Sequence, residues 1–175
     1  MKRGELEHVI RASGAVAGVS DIVVVGSQAV LGTRPDAPPE LVRSMEADVF
    51  PLQDPGKADL IDGSIGELSP FHEQFGYYAH GVAPETATLP MGWQQRLIPV
   101  RNENTGGVTG WCLNLIDLAI SKLAAGREKD IEFVAVLLRQ RWVTEAEVRG
   151  GVATLPAATL ARVMESLAAA KKGDR

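Results

Sequence analysis

Glu46 and Asp48 stand two residues apart in Glu46-Ala-Asp-Val-Phe-Pro, and Gly26-Ser27 lies 19 residues before Glu46. In a strand, positions two apart project from one face at a separation of about 7 Å. Two such carboxylates can converge on one or two divalent cations. Two ions held about 4 Å apart can clamp both the attacking and the leaving oxygen of a phosphoryl displacement. Glycine lets the backbone approach a phosphate closely, and Ser27 offers a hydroxyl and an amide where a helix would begin. The plainer reading of the same acids is a solvated strand face.

A second group of charges follows in Asp117-Leu-Ala-Ile-Ser-Lys122-Leu-Ala-Ala-Gly-Arg127-Glu-Lys129-Asp130. Lys122 is five residues after Asp117, off the four-residue spacing of a simple helix pair. Arg127, Lys129 and Asp130 come just past the helix-breaking Gly126. Charges at such a junction can cap a solvated face, or they can be aimed into a cleft. There Lys122 is a point-charge ligand for a triphosphate, with Asp130 to hold or orient it.

The elements that must carry these residues follow from periodicity. Leu6, Val9 and Ile10 predict a short helix from Arg3 to Ala12, ended by Ser13-Gly14. Four β-branched residues in Asp21–Val25 predict a strand buried on both faces, after which Gly26 turns the chain and Ser27 caps a helical segment from Gln28 to Leu31. Pro35, Pro38 and Pro39 interrupt. Glu46 to Phe50 reads as a strand stopped by Pro51, with Ala47 and Val49 on one face and Glu46, Asp48 and Phe50 on the other. A short helix around Ala58–Ile61 and strands over Gly76–Ala83 and Gln95–Val100 complete the sheet.

From Leu113 the period becomes helical. Leu113, Ile116, Ile120, Leu123 and Ala124 form one face, a second helix covers about Glu128 to Gln140, Thr144-Glu-Ala-Glu147 opens a third as a capping box, and Pro156 to Ala170 forms a fourth before the polar tail Lys171–Arg175. The expected fold is α/β of the α+β kind: a small mixed β-sheet of about four strands with flanking helices, then a C-terminal helical region. Residues 1–110 form the α/β core, and residues 111–175 are a helical region packed on it.

Composition narrows the function classes. A chain of 175 residues, 45% apolar and 23% charged, suits one soluble domain. No apolar run approaches the ~20 residues of a membrane span, and Met-Lys-Arg-Gly-Glu is followed by no apolar leader, so a cytoplasmic protein with no membrane partner is expected. The net charge of -4 provides no global field for nucleic acid, and Asp36–Glu73 holds nine acids against Arg43 and Lys57, a stretch that suits a divalent cation better than a bare phosphate. Cys112 stands alone, which excludes an internal disulfide and predicts an inert buried thiol. His72 and His80 have no third metal-type neighbour and read as ordinary histidines. Phe71, Phe75, Tyr77, Tyr78 and Trp93 read as packing residues that could instead stack a base, and Trp111 and Trp142 as helix-packing anchors.

Gly26-Ser27-Gln-Ala, then Arg43-Ser44-Met-Glu46-Ala-Asp48, then Lys122-Leu-Ala-Ala-x-Arg127-x-Lys129-Asp130 resembles the motif series of the nucleotidyltransferase superfamily. The likeness spans residues 22 to 138 and is nearest to small bacterial members similar to AbiEii-type toxins. It implies that Gly26, Ser27, Arg43, Ser44, Lys122 and Arg127 bind the nucleotide, that Glu46 and Asp48 bind Mg²⁺, with a two-ion site possible, and that Lys122 and Asp130 join them in catalysis. Two departures stand out. Glu46 replaces the usual Asp, and no third acid follows on the next strand, where His80 and then Glu85 occur instead.

The expected activity is transfer of a nucleoside monophosphate from an NTP to a hydroxyl or RNA acceptor, with a toxin–antitoxin connection. The alternative is a catalytically inactive binding module of the same fold that acts through a protein partner. A homodimer is compatible with either.

Overall fold

The computed structural model describes residues 1–172, which fold as two compact units. The first comprises Met1–Thr86 and Leu97–Leu113, the second Ala87–Arg96 and the chain from Asn114 onward.

The first unit is built on a mixed sheet of β1 (Asp21–Val25), β2 (Glu46–Pro51), β3 (Tyr78–Gly81), β4 (Ile98–Val100) and β5 (Thr109–Cys112) in the order β3-β2-β1-β5-β4. Strand β1 runs antiparallel to β2 and parallel to β5, and β2 runs parallel to β3. The β-branched run Ile22–Val25 is almost wholly buried, as expected for a central strand covered on both faces. Helices α1 (Arg3–Ala17), α2 (Val30–Thr33), α3 (Ala58–Ile65) and α4 (Pro70–Phe75) flank it, and Leu6, Val9 and Ile10 of α1 are buried as their spacing required.

Among the described residues five strands are present where about four were expected, and several boundaries move. Helix α1 continues through Ser13-Gly14 and ends at Gly18, which takes the left-handed conformation. Gly14 is there for close approach, because a Cβ on it would lie 2.5 Å from Val108 Cγ2. Helix α3 runs on to Ile65. Strand β3 starts only at Tyr78 because α4 and its left-handed end at Gly76 occupy the preceding residues. Gln95 and Arg96 belong to a 3₁₀ turn, Trp93–Arg96, so β4 is short. Trp111 lies in β5 rather than on a helix, and its Nε1–H donates to Asp21 Oδ1 at 2.8 Å, an anchor across the sheet.

The second unit is helical: α5 (Leu115–Ala125), α6 (Glu128–Arg139), α7 (Glu145–Gly151) and α8 (Ala157–Lys172). Asn114 caps α5 by accepting from the backbone N–H groups of Ile116 and Asp117, and Gly126 ends that helix in the left-handed conformation. Both bonds of the Thr144–Glu147 capping box form at α7. The polar tail expected at Lys171–Arg175 begins inside α8, and its last residues, 173–175, lie outside the described ones. Among the described residues no helix is long and apolar enough to cross a membrane.

Cys112 is fully buried, and burial pushes its thiol up to about 12. A thiol with neither access nor thiolate character does not react. The native protein is therefore expected to resist a disulfide-exchange reagent at pH 8 and to titrate one thiol on unfolding, whereas fast modification of the folded chain would contradict that burial.

Candidate functional site

Gly26 follows directly on β1 with φ 65° and ψ −168°, a conformation that is essentially glycine-only. It precedes a 3₁₀ turn, Ser27–Ala29, that leads into α2. The capping role expected of Ser27 does not occur: Gly26 holds the cap position, and no side chain bonds to the turn's amides. Ser27 is half-buried, and its hydroxyl makes no hydrogen bond among the described residues.

Register brings this turn to the acidic strand. Val25 pairs with Asp48 across β1 and β2, and a Cβ on Gly26 would lie 2.1 Å from Asp48 Oδ2. The bare glycine backbone therefore lies directly against that carboxylate. Gln28, which sequence reasoning quoted without assigning it a role, ties the turn to the start of β2: its Nε2 donates to the Ser44 carbonyl at 3.1 Å. Ser44 Oγ in turn accepts from the Glu46 backbone N–H at 3.1 Å. Arg43 is exposed beside it.

Along β2, Ala47 and Val49 are buried while Glu46 and Asp48 are half-exposed on the opposite face. Each carboxylate meets a polar residue of β3, Glu46 opposite Tyr78 and Asp48 opposite His80. The Tyr78 hydroxyl donates to Glu46 Oε2 at 3.2 Å. Burial first, and the Glu46 charge second, push the Tyr78 phenol up to about 12, so it keeps its proton and remains a donor. His72 packs its ring 4.6 Å from that of Tyr78, and its Nδ1 accepts from the Leu68 backbone N–H.

His80 Nδ1 lies 2.8 Å from Asp48 Oδ1. An ionised carboxylate only accepts, so the ring nitrogen donates. His80 thus occupies the register position on the following strand where the motif pattern led one to look for a third acid. Glu85 sits beyond it, exposed on the 3₁₀ turn Pro84–Thr86.

In the second unit, Lys122, Arg127 and Asp130 do come together. Asp130 is buried in the first turn of α6, with Lys122 Nζ 2.9 Å from one carboxylate oxygen and Arg127 Nε 2.6 Å from the other. Burial pushes the Asp130 carboxyl up, but the hydrogen bonds from Arg127 and Lys122 outweigh it, so the group ends below its ordinary value. Lys122 also lies 5.3 Å from the Phe133 ring centroid.

Asp117, in the same stretch of sequence, takes no part in this cluster. It is held by Arg96 through two bonds of 2.9 Å and by Asn114 at 2.6 Å. Lys129 is exposed. Arg96, 21 residues before its partner, was not foreseen. An ion pair of that separation leaves no periodic trace.

Mg²⁺ needs few protein ligands: it commonly takes one or two carboxylates and completes its shell with water and substrate phosphates. Glu46 and Asp48, on one strand face with the Gly26 backbone against Asp48, fit that requirement for one ion. Among the described residues no group of three or more His, Cys, Asp or Glu side chains is disposed to hold a metal.

A family model described as a nucleotidyltransferase of unknown function (DUF6036) matches residues 5–140. No curated protein and no solved structure matches the chain.

Proposed function

Since the chain belongs to that family of nucleotidyltransferases, whose model spans most of its length, we propose that it transfers a nucleoside monophosphate from an NTP to a hydroxyl or RNA acceptor, with Mg²⁺ held by Glu46 and Asp48. The observation that carries this reading is the close apposition of the Gly26-Ser27 turn and the Asp48 carboxylate. A surface that accepts a polyphosphate only with its cation would place an uncrowded backbone turn beside an acid in this way.

The roles divide by chemistry. Glu46 and Asp48 repel a bare triphosphate and accept one carried by the ion. Bound Mg²⁺ supplies neutralisation of phosphate charge and polarisation of the phosphorus under attack. The Gly26 turn allows the phosphates close, and the Ser27 hydroxyl, which makes no hydrogen bond among the described residues, can donate to one of their oxygens. The acceptor hydroxyl gives up its proton to solvent and its oxygen bonds to the α-phosphorus, as the bond from the α-phosphorus to the bridging oxygen breaks and pyrophosphate leaves with that oxygen. In the second unit, Lys122, Asp130 and Arg127 form a cluster of their own, and a role for Lys122, Arg127 and Asp130 rests on the resemblance of their motif. A second ion would have to draw its ligands from the substrate. The AbiEii-type and toxin–antitoxin reading rests on the resemblance of the three strings Gly26–Ala29, Arg43–Asp48 and Lys122–Asp130 taken together.

A second reading has its own observation. The partner that β3 places opposite Asp48 is an imidazole, where a third carboxylate would serve a two-ion reaction. This favours the alternative of a catalytically inactive binding module of the same fold that acts through a protein partner.

Calorimetry with each NTP and Mg²⁺ separates these cases. The wild-type protein is expected to bind and Asp48→Asn to bind about tenfold more weakly or less, as loss of a charged ligand implies. Equal binding by the two proteins removes the cation site. Binding without movement of α-phosphate label to any acceptor leaves the module.

A further inference from the structure

A glutamate is a loose metal ligand unless something holds it, since its side chain loses rotamer freedom each time the carboxylate is presented. In this chain the holding group is visible. Tyr78 stands directly opposite Glu46 in the β2–β3 register, and its hydroxyl reaches Glu46 Oε2 at 3.2 Å. The ring that carries the hydroxyl is itself held, being nearly buried and packed at 4.6 Å on His72. His72 is fixed in turn by the Leu68 N–H on its Nδ1 and by its place in α4, which Ser69 caps. A packed path therefore runs from α4 through His72 and Tyr78 to one oxygen of Glu46. Two rungs along the same pair of strands the arrangement repeats, with His80 on Asp48.

We propose that Tyr78 is a positioning residue for Glu46: its hydroxyl fixes the carboxylate in the orientation that receives the divalent cation, and β3 is in this sense a part of the site. The inference rests on the cation-binding reading above and adds to it a residue that contributes no ligand of its own. Glutamate in the first acidic position then goes together with a tyrosine across the strand. The extra methylene that gives Glu46 its reach also gives it the freedom that the hydroxyl removes.

The test uses the full chain and Mn²⁺ alone, with free ion read by electron paramagnetic resonance. Tyr78→Phe keeps the ring and its contact with His72 and deletes only the donor. It is expected to weaken Mn²⁺ binding about five- to tenfold, less than the whole effect of a hydrogen bond to a charged group because the bond is also present before the ion binds, with circular dichroism unchanged. Glu46→Asp, shorter by a methylene, withdraws from the hydroxyl. Adding Tyr78→Phe to it is expected to change binding by less than about twofold, because contacting residues couple and separated ones do not.

A Tyr78→Phe protein that binds Mn²⁺ as the wild type does, while Asp48→Asn does not, overturns this inference and leaves the cation site standing. An equal loss when Tyr78→Phe is made in the wild type and in the Glu46→Asp variant also overturns it, since the hydroxyl would then act elsewhere. If Asp48→Asn binds Mn²⁺ undiminished, the cation site and this inference fall together.

Discussion

Gly26→Ala is expected to cost about 2–6 kcal/mol of stability, the sum of two causes, and to abolish cation-dependent nucleotide binding. The backbone at φ 65° and ψ −168° is strained for any residue with a side chain, by about 1–3 kcal/mol. The new methyl group would also stand 2.1 Å from Asp48 Oδ2, so either the turn or the carboxylate must move, and forced repacking of that kind costs about 1–3 kcal/mol. Whichever moves, the apposition on which binding rests is lost. Urea unfolding measures the first effect and calorimetry with Mg²⁺ and NTP the second. Ser27→Ala serves as the control, since it removes a hydroxyl without adding an atom and is expected to spare the fold. An alanine variant at position 26 that melts and binds like the wild type would show that the turn relaxes freely and does not shape the site.

Asp130→Ala is expected to destabilise the protein by about 3–5 kcal/mol, the cost of breaking a buried ion pair by removing one partner. Asp130 is fully buried and the Lys122 side chain is only 11% exposed, so Lys122 would be left charged with little access to water. Arg127, at 61% exposed, can turn outward and loses little. Removing both ends should therefore be milder than removing one, and Lys122→Met combined with Asp130→Leu is expected to recover part of the loss seen in Asp130→Ala.

The same group sets an acid limit. Its carboxyl lies below the ordinary value in the folded state, because the bonds from Arg127 and Lys122 more than offset burial. Its contribution is thus complete above the unfolded carboxyl value of about 4 and is lost as pH falls through the lower folded value. Urea midpoints measured from pH 7 down to pH 3 should fall in the wild type and fall less steeply in Asp130→Ala. Parallel curves would show that Asp130 titrates alike in both states.

What the amino-acid order reveals and what it hides can be traced residue by residue. The buried run Ile22–Val25 and the alternation Glu46-Ala47-Asp48-Val49 were legible because a strand's period of two is a local signal. The end of α5 at Gly126 and the capping box at Thr144 were legible because helix ends have their own chemistry. Strand β5 was not, because Gly110 interrupts its pattern. The glycine is there for α1, since a Cβ at 110 would lie 2.3 Å from Ile10 Cδ1. The same holds for Gly14, which resembles a helix terminator in sequence and is in fact a point of contact with Val108. In the site, the carboxylates and the Gly-Ser turn could be named in advance because their types and spacing imply chemistry. Tyr78 as partner of Glu46 could not, because that pairing depends on strand register across 32 residues, and register is a property of the sheet. His80 was noticed as a substitute for an acid, but its bond to Asp48 follows only from the parallel pairing of β2 with β3.

The position of β3 in the sheet has a consequence for how damage to this protein would show itself. It is four residues long and lies at one border of the sheet, so it has a neighbouring strand on one side only. Among the described residues its only strand partner is β2, whereas β1 is paired on both sides. Loss of that pairing would release both carboxylates while β1 stays paired with β2 and β5. Heat denaturation therefore reports on the interior and says little about the order of the acidic pair, so a variant can keep its melting temperature and still be inert.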